Sequence, residues 1–498
     1  MAFSLRAKRL DIATGGTNIV VLRGRDAENF GILPGDKLEL SWDGQKQVVT
    51  ADISHNAVQH GEIGLFNELW KGKKLHEGEA IMVAVLSRPV SVQAIRKRLL
   101  GKPVSDAEID SIITDIVNGR LGEVETTYFV AAGFLHPSPP RELVALTRAM
   151  AASGEQFHWA SKRVVDKHSV GGVAGNRTTM VVIPIVSALG LTIPKTSSRA
   201  ITSPAGTADT MEVLAPVSFD AKEVRRIVKN TGACLIWGGG LAIAPADDLI
   251  IRVSRPLSLE PYDKMLVSIM AKKVAMGVKT LVIDMPIGHL TKIPNRKTAN
   301  ILAKRFVWLG KQFGMRVQVE ILEAEEPVGR GVGPALEARD VLRVLQQKSL
   351  RPMDLEEKSI HLAAVLLELS GATRAGRGEA LARTTLKSGA AWKQMQKIIA
   401  AQGGNARIDS DTITLSAFTR RITAERAGRV VHVNNRSIDE VARTLGAPSH
   451  KLAGVYVHQR VGDHVAKGDK LYTLYARNAD RLQLAELACR RTPLLTIR

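Results

Sequence analysis

The stretch Val164 to Thr179, reading V-V-D-K-H-S-V-G-G-V-A-G-N-R-T-T, constrains the fold of this chain more than any other. It begins as a short apolar strand, Val164-Val165, and breaks into a loop carrying Gly171, Gly172 and Gly175. It then enters an apolar, proline-interrupted run, Met180 to Leu189, which reads as the next helix. A strand, a glycine loop and a helix start, in that order, present backbone N–H groups to an anion. Glycine lets the backbone approach that ligand without a Cβ in the way. Lys167 adds a positive charge, and Ser169, Thr178 and Thr179 add hydroxyls. The plainer alternative is a glycine-rich surface turn. The loop is not a nucleotide P-loop, because G-x-x-x-x-G-K-[ST] is absent and the lysine precedes the glycines. It is not a dinucleotide fingerprint either, since its glycines run G-G-x-x-G.

A chain of 498 residues has room for about three or four domains. Hydrophobic residues at 45% and charged residues at 24% make an ordinary globular balance. No apolar run reaches the ~20 residues of a membrane span, and Met1-Ala2-Phe3-Ser4-Leu5-Arg6 lacks the apolar segment of a signal peptide. With Cys234 and Cys489 alone there is neither a disulfide framework nor a metal-cluster spacing, so the expectation is a reduced, cytoplasmic protein without a metal. The formal net charge of +20 raises nucleic-acid binding, but the basic residues are spread along the chain and aromatics for base stacking are only 4%. The same charge steers small anionic substrates.

Residues 1–86 alternate short apolar runs with turns, at Asn18 to Leu22, Lys37 to Leu40, Gln47 to Thr50 and Ala80 to Leu86. Gly24-Arg25-Asp26, Leu33-Pro34-Gly35-Asp36 and Trp42-Asp43-Gly44 separate the first three as turns. Residues 87–155 are helical. Val92, Ile95 and Leu99 fall at helical spacing, with Arg96, Lys97 and Arg98 between them as a solvated face. Ser105-Asp106-Ala107-Glu108 is a capping box that opens a helix from Ile109 to Val117, and Arg141 to Ala152 is a further helix.

Residues 156–410 alternate strands (Leu191 to Lys195, Ala233 to Trp237, Thr280 to Asp284, Arg316 to Leu322) with helices (Ala221 to Asn230, Lys264 to Met276, Thr298 to Phe313). That order predicts a largely parallel sheet covered by helices, with ligands beyond the carboxyl ends of its strands. The loop after Lys167 obeys that rule. The helical stretches Pro334 to Leu350 and Met353 to Leu369 follow. Gly329, Gly331 and Gly333 precede the first of them and read as close packing in preference to a second anion site. Residues 411–498 return to β-runs with turns, such as Val455-Tyr456-Val457 and Leu471-Tyr472-Thr473.

The motif K-H-S-V-G-G-V-A-G-N-R-T-T resembles the phosphate loop of the thymidine phosphorylase family, the pyrimidine-nucleoside phosphorylases, whose common form is K-H-S-T-G-G. It is closer still to the branch of the AMP phosphorylases and the type 2 thymidine phosphorylases, and the likeness covers essentially the whole chain. The resemblance implies an α/β protein: a small N-terminal β-barrel concerned with oligomer assembly, a helical domain, a large mainly parallel α/β phosphate-binding domain, and a C-terminal α/β domain. It also implies a homodimer or larger homo-oligomer, and no cofactor beyond phosphate as a substrate.

A phosphorylase must hold phosphate near an anomeric carbon and stabilise charge on the departing base. For phosphate the expected residues are Lys167, Ser169, Gly172 and Thr179, joined by Ser198 and Thr207 from the next loop, Lys195 to Thr207. That loop also follows an apolar strand and is dense in hydroxyls. In the family its counterpart contacts phosphate and sugar, and in the AMP branch the nucleotide as well, which implies Arg199, Ala200, Ile201, Thr202 and Ser203. Arg199 serves a 5′ phosphate or pairs with a carboxylate such as Asp209. His168 is a candidate to hydrogen-bond the leaving base or carry its proton. The family's base-binding Arg, Ser and Lys correspond to Arg252, Ser268 and Lys272, with Arg255 as the alternative to Arg252; Ser268 and Lys272 are four apart and share a helix face. On the residues alone, Lys272-Lys273 reads as a solvated helix face. Lys292 lies in a loop after a strand, a natural place for a substrate contact. Glu260, in L-S-L-E-P-Y-D, stands where the AMP branch has an Asp that protonates the leaving purine, with Asp263 as the alternative acid.

The expected activity is phosphorolysis of thymidine to thymine and 2-deoxyribose 1-phosphate. The close alternative is phosphorolysis of AMP to adenine and ribose 1,5-bisphosphate. A phosphoribosyltransferase and an RNA-binding protein are the readings from other classes.

Overall fold

The structure, a computed structural model, describes residues 2–70, 74–200, 203–254, 256, 261–288 and 291–498. It divides into two compact units, Met1–Ser153 with Pro245–Val267, and Gly154–Ala244 with Ser268–Arg498.

In the first unit the N-terminal segment closes into a six-stranded barrel. The strands run Ala2–Arg9, Glu62–Leu65, Ile19–Arg23, Gln45–Ser54, Lys37–Trp42 and Ala80–Val85 in spatial order. Closure comes from antiparallel pairing of the first strand with the last, Ala2 opposite Ala84 and Arg6 opposite Ala80. Alternation supplies the core: along Ala2–Arg9, Leu5 and Ala7 point inward while Arg6 and Lys8 do not. Leu22, Leu38, Leu40, Ile63 and Ile81 fill the same interior. The four expected strands are present. The strands Ala2–Arg9 and Glu62–Leu65 were not foreseen, and Gly24-Arg25-Asp26 opens the helix Gly24–Phe30 instead of making a turn.

Helices Ser91–Leu99, Asp106–Val117, Glu123–Leu135, Pro140–Ala152 and Pro245–Ser254 complete this unit. The capping box forms as expected. Ser105 Oγ accepts from the Glu108 N–H at 3.2 Å, and the Glu108 carboxylate accepts from the Ser105 N–H at 2.7 Å. The helix therefore starts at Asp106, three residues before its first apolar position. The basic run Arg96-Lys97-Arg98 is not one solvated face. Arg98 is buried, ion-paired with Glu142 and donating to Ser138 Oγ at 2.7 Å. Three consecutive helical residues point in three directions, and the third lies on the packed side.

The second unit holds two parallel sheets. Thr280–Ile287 is the centre of one, with Arg316–Glu323 and Val165–Ser169 on its two sides, all parallel. Ile193–Ser197 pairs in parallel with Ala233–Trp237, and a bridge from Val164 to Thr192 joins the two sheets. Helix Thr178–Ala188 is buried from Thr178 to Ser187, in keeping with the apolar run Met180 to Val186. It shares one apolar core with Leu342, Leu366, Leu386 and Ile398 from helices Pro334–Leu345, Met353–Leu369, Gly378–Lys387 and Ala390–Ala401.

The glycines before Pro334 serve close packing. A Cβ on Gly331 would lie 2.6 Å from the Leu336 carbonyl carbon. The N–H groups of Arg330 and Gly331 donate to Asp340, and that of Gly329 donates to Asp354. The C-terminal segment forms a four-stranded antiparallel sheet that borrows Gly331–Val332 as an edge strand, and a three-stranded sheet. Helices Asn435–Leu445 and Ala479–Arg491 pack with them, absent from the β-reading of the residues but in keeping with the C-terminal α/β domain that the resemblance implies. Cys234 and Cys489 are free and buried. Among the described residues no helix is long and apolar enough to cross a membrane.

Leu366 is fully buried in the shared core of the second unit. Leu366→Ala should cost that unit about 3 kcal/mol, because the cavity adds to the lost transfer energy. The urea midpoint of the unit's unfolding transition measures it.

Candidate functional site

Parallel pairing sets the register of the glycine loop. Lys167 lies opposite Val282 and Ser169 opposite Asp284, and the Val170 N–H donates to the Asp284 carbonyl at 2.9 Å. Gly175 has φ +68, and a Cβ there would sit 2.6 Å from the Val328 carbonyl oxygen, so only glycine fits. At Gly172, with φ +89, a Cβ would come within 2.9 Å of the Lys292 backbone nitrogen. The loop is thereby held against the segment carrying Lys292, whose Cε lies 4.0 Å from the Cβ position of Gly171.

Beneath the loop lies a charged layer. Lys167 has no exposed side-chain surface. Its Nζ donates to Thr178 Oγ1 at 2.7 Å and Thr179 Oγ1 at 3.3 Å, and pairs with Asp284 at 3.3 Å. Lys358, from helix Met353–Leu369, pairs with the other oxygen of Asp284 at 3.1 Å. Asn176 Nδ2 donates to Asp284 at 3.1 Å and to Ser169 Oγ at 3.3 Å. One residue before Lys167, Asp166 is equally buried and meets Lys273 at 2.6 Å and Lys195 at 3.4 Å.

Burial would raise the carboxyl of Asp284, but Lys167 and Lys358 bring it down to about 2. Asp166 is likewise held below the ordinary carboxylate value by Lys195 and Lys273 against its own burial. The cations bear the complementary cost. Burial, only partly offset by Asp284 and reinforced by Lys358, lowers Lys167 to about 8, and burial beside Lys273 lowers Lys195. Burial and the charges of Lys273, Lys195, Lys167 and Lys272 push His168 well below its ordinary value. His168 is therefore a neutral imidazole near pH 7. Of its two expected roles, hydrogen-bonding the base or carrying its proton, a neutral ring in this surrounding favours the first.

The hydroxyl-rich loop is organised by Asp209, which accepts from the N–H groups of Ala200 at 2.7 Å and Gly206 at 2.9 Å. Gly206 packs so closely that a Cβ would lie 2.5 Å from the Ser198 carbonyl oxygen. Ser198 is exposed, and Thr207 Oγ1 accepts from Arg177 at 3.4 Å. Ser203 Oγ donates to the Ala205 carbonyl at 2.9 Å. Of the two expectations for Arg199, the carboxylate pairing is realised. Its guanidinium donates to both oxygens of Glu212 at 2.7 Å each and to Asp209 at 3.2 Å, and lies 4.9 Å from the Trp237 ring. Hydrogen bonds from Arg199, with Lys451 adding its charge, hold Glu212 at about 2. A guanidinium so engaged is a loop fastener in this conformation.

The structure thus brings Lys167, His168, Ser169, Gly172, Thr179, Thr207 and Lys292 to one region, with the charge of Lys272 felt at His168. Ser268 and Lys272 follow each other on the helix Tyr262–Ala275. Lys273 is not a solvated neighbour of Lys272, as the doublet suggested, but a buried partner of Asp166. Arg252 belongs to the first unit, where its guanidinium lies 3.8 Å from Glu123 and close against Gly16. Asp263, the alternative acid, is buried in that unit and accepts from the Ser138 N–H at 2.7 Å. Ile201, Thr202, Arg255 and Glu260 lie outside the described residues. Sequence reasoning missed Asp166, Asn176, Arg177, Lys195, Lys273, Asp284, Glu337 and Lys358. The available signal was an aspartate inside an apolar strand pattern, in V-V-D-K and in L-V-I-D-M.

Comparisons with known proteins agree with this architecture. The family profile "Glycosyl transferase family, a/b domain" matches residues 161–392, "Glycosyl transferase family, helical bundle domain" matches 92–154, and "Pyrimidine nucleoside phosphorylase C-terminal domain" matches 429–492. The AMP phosphorylase of Pyrococcus furiosus is 42% identical over 98% of this chain and 96% of its own length. That of Methanococcus vannielii is 40% identical over 98% and 96%, and that of Thermococcus kodakarensis 42% over 96% and 94%. The crystal structure of anthranilate phosphoribosyltransferase from Thermus thermophilus superposes with a TM-score of 0.53 at 19% identity, over 62% of this chain and 99% of that one, a likeness of fold.

Asp166→Asn removes the counter-charge of two buried lysines. The variant should lose about 3–5 kcal/mol of stability, as expected when one partner of a buried ion pair is deleted, read as a lowered thermal unfolding midpoint.

Proposed function

This chain belongs to the pyrimidine-nucleoside phosphorylase family, in the branch of the AMP phosphorylases, and on that premise we propose that it phosphorolyses AMP. The observation that carries the reading is the surplus of buried positive charge beneath the glycine loop. Among the described residues, buried Lys167, Lys195 and Lys273, joined by the partly exposed Lys358, pair with two carboxylates, Asp166 and Asp284. Buried charge without a full counter-charge is costly, and a bound phosphate relieves that cost. The relatives' name supports AMP over thymidine, which had been the first expectation from the family, and with it adenine as the leaving base.

In the proposed reaction an oxygen of inorganic phosphate attacks C1′ of AMP as the C1′–N9 bond breaks. Adenine leaves with the bonding electrons and takes a proton, and ribose 1,5-bisphosphate remains. Phosphate is a substrate, and the chemistry asks for no metal or organic cofactor. Ser169, Thr179, Ser198, Thr207, the Gly172 backbone and Lys292 would hold the phosphate over the charge of Lys167. Such positioning supplies much of the rate in a displacement with an oxocarbenium-like transition state. Neutral His168 with Ser268 and Lys272 would face the base, and Glu260 would deliver its proton.

The deciding experiment is base release from AMP, thymidine and uridine, each with and without phosphate. Phosphate-dependent adenine release with thymidine inert is expected. Thymine release with AMP inert would restore the thymidine reading. No release from any of them would return the phosphoribosyltransferase reading to the front.

Free Lys167 loses its proton near pH 8, and a bound anion favours the charged form. Phosphate affinity should be fullest below that pH and fall as pH rises through it. Lys167→Met should remove this limb and nearly all turnover.

Glu260→Gln should slow AMP cleavage by on the order of 100-fold, the usual worth of a general acid, and thymidine cleavage much less. Equal loss on both substrates would end the proposed role of Glu260.

A further inference from the structure

Arg177 lies inside the glycine-loop motif, yet the proposed chemistry gives it no task. Its side chain is nearly buried, and four of its five N–H donors have protein acceptors. Nε pairs with Glu337, one terminal nitrogen donates to the Asn176 carbonyl at 3.1 Å and to Thr207 Oγ1 at 3.4 Å, and the other donates to the Ala205 carbonyl. Glu337 is itself held in place, accepting from the Gly333 N–H at 3.0 Å and contacting Thr210 Oγ1 at 3.4 Å.

The two loops are otherwise fastened separately. Asn176 ties the glycine loop to Asp284, and Asp209 ties the hydroxyl loop to itself. Among the described residues, the hydrogen bonds that join residues 170–177 to residues 198–207 run through the Arg177 guanidinium. A planar fork can hold a carboxylate on one edge and carbonyl and hydroxyl oxygens on the others. A lysine ammonium, a point charge, cannot serve them all.

We propose that Arg177, seated on Glu337, is a positioning residue that fixes the hydroxyl loop against the glycine loop, so that donors from both address one phosphate. The inference rests on the phosphate reading of the site. Arg177 does not touch the phosphate. It sets where Thr207 and Ser198 stand relative to Ser169 and Lys167, and a displacement of about an ångström there is enough to cost much of the binding.

The test is calorimetric titration of inorganic phosphate into the full chain as wild type, R177M, R177K, T207V, R177M/T207V and R177K/T207V. R177M should weaken phosphate by about tenfold, the worth of a charge-assisted hydrogen-bond array, and R177K should recover little of it. Because the loops are coupled through Arg177, T207V should cost clearly less in either Arg177 background than in wild type. In turnover, KM for phosphate should rise more than KM for the nucleotide. R177K keeps a charge opposite Glu337, so the cycle stands even where the methionine variant fails to fold. Wild-type phosphate affinity in R177K, or a T207V effect that multiplies in full, would overturn the proposal and leave Arg177 a stabilising residue. A wild type that binds phosphate but cleaves neither AMP nor thymidine would end the functional reading while leaving this one in place. A wild type that binds no phosphate would end both.

Discussion

The pairing of buried Lys167 with buried Asp284 is the interaction on which the rest of the second unit depends. Each group loses its hydration completely, a cost of several kcal/mol per ion, and only a complete set of partners makes it tolerable. Asp284 must therefore stand on the neighbouring strand beside the loop, which parallel pairing with Val165–Ser169 secures. Lys358 must reach the other carboxylate oxygen from a helix 191 residues beyond Lys167. Thr178 and Thr179 must begin the next helix just where Nζ ends. A strand order, a helix position and a helix start are fixed together by one ion pair.

The layer is over-supplied with cations, and that surplus gives the fold its chemical character. A second set repeats the arrangement one residue earlier, with Lys195 and Lys273 on Asp166. Burial, with this field added to it, keeps His168 unprotonated. Arg199 and Arg177, by contrast, have matched carboxylates in Glu212 and Glu337 and serve to hold loops. The lysines and arginines of this site therefore divide by partner: the lysines leave net positive charge below the loop, and the arginines spend theirs on architecture.

Much of the fold was legible where one apolar period runs unbroken. Ala233–Trp237 and Met353–Leu369 have the limits their patterns indicate, and Ser105 with Glu108 forms its capping box. Legibility failed where the short-range signal was ambiguous. Ala2–Arg9 alternates perfectly, but its basic outer face reads as a polar start of chain. Helices Asn435–Leu445 and Ala479–Arg491 are amphipathic and sit among β-runs whose turn residues dominate the reading. In the site, the glycine loop and its hydroxyls were readable because Gly175 and Gly172 answer a local backbone demand.

The sequence by itself determined the order of elements, the glycine loop after its strand and the hydroxyl loop after the next, because these follow from periodicities and turn chemistry spanning a few residues. Only the tertiary structure decided which charges meet. Asp284, Lys358 and Glu337 lie far from Lys167 and Arg177 along the chain, and Arg98, Arg199 and Lys273 look like any surface cation in sequence. Whether such a side chain is a solvated charge, a loop fastener or part of a buried electrostatic layer depends on desolvation and on partners brought close by folding, and neither quantity exists until the strands and helices have packed.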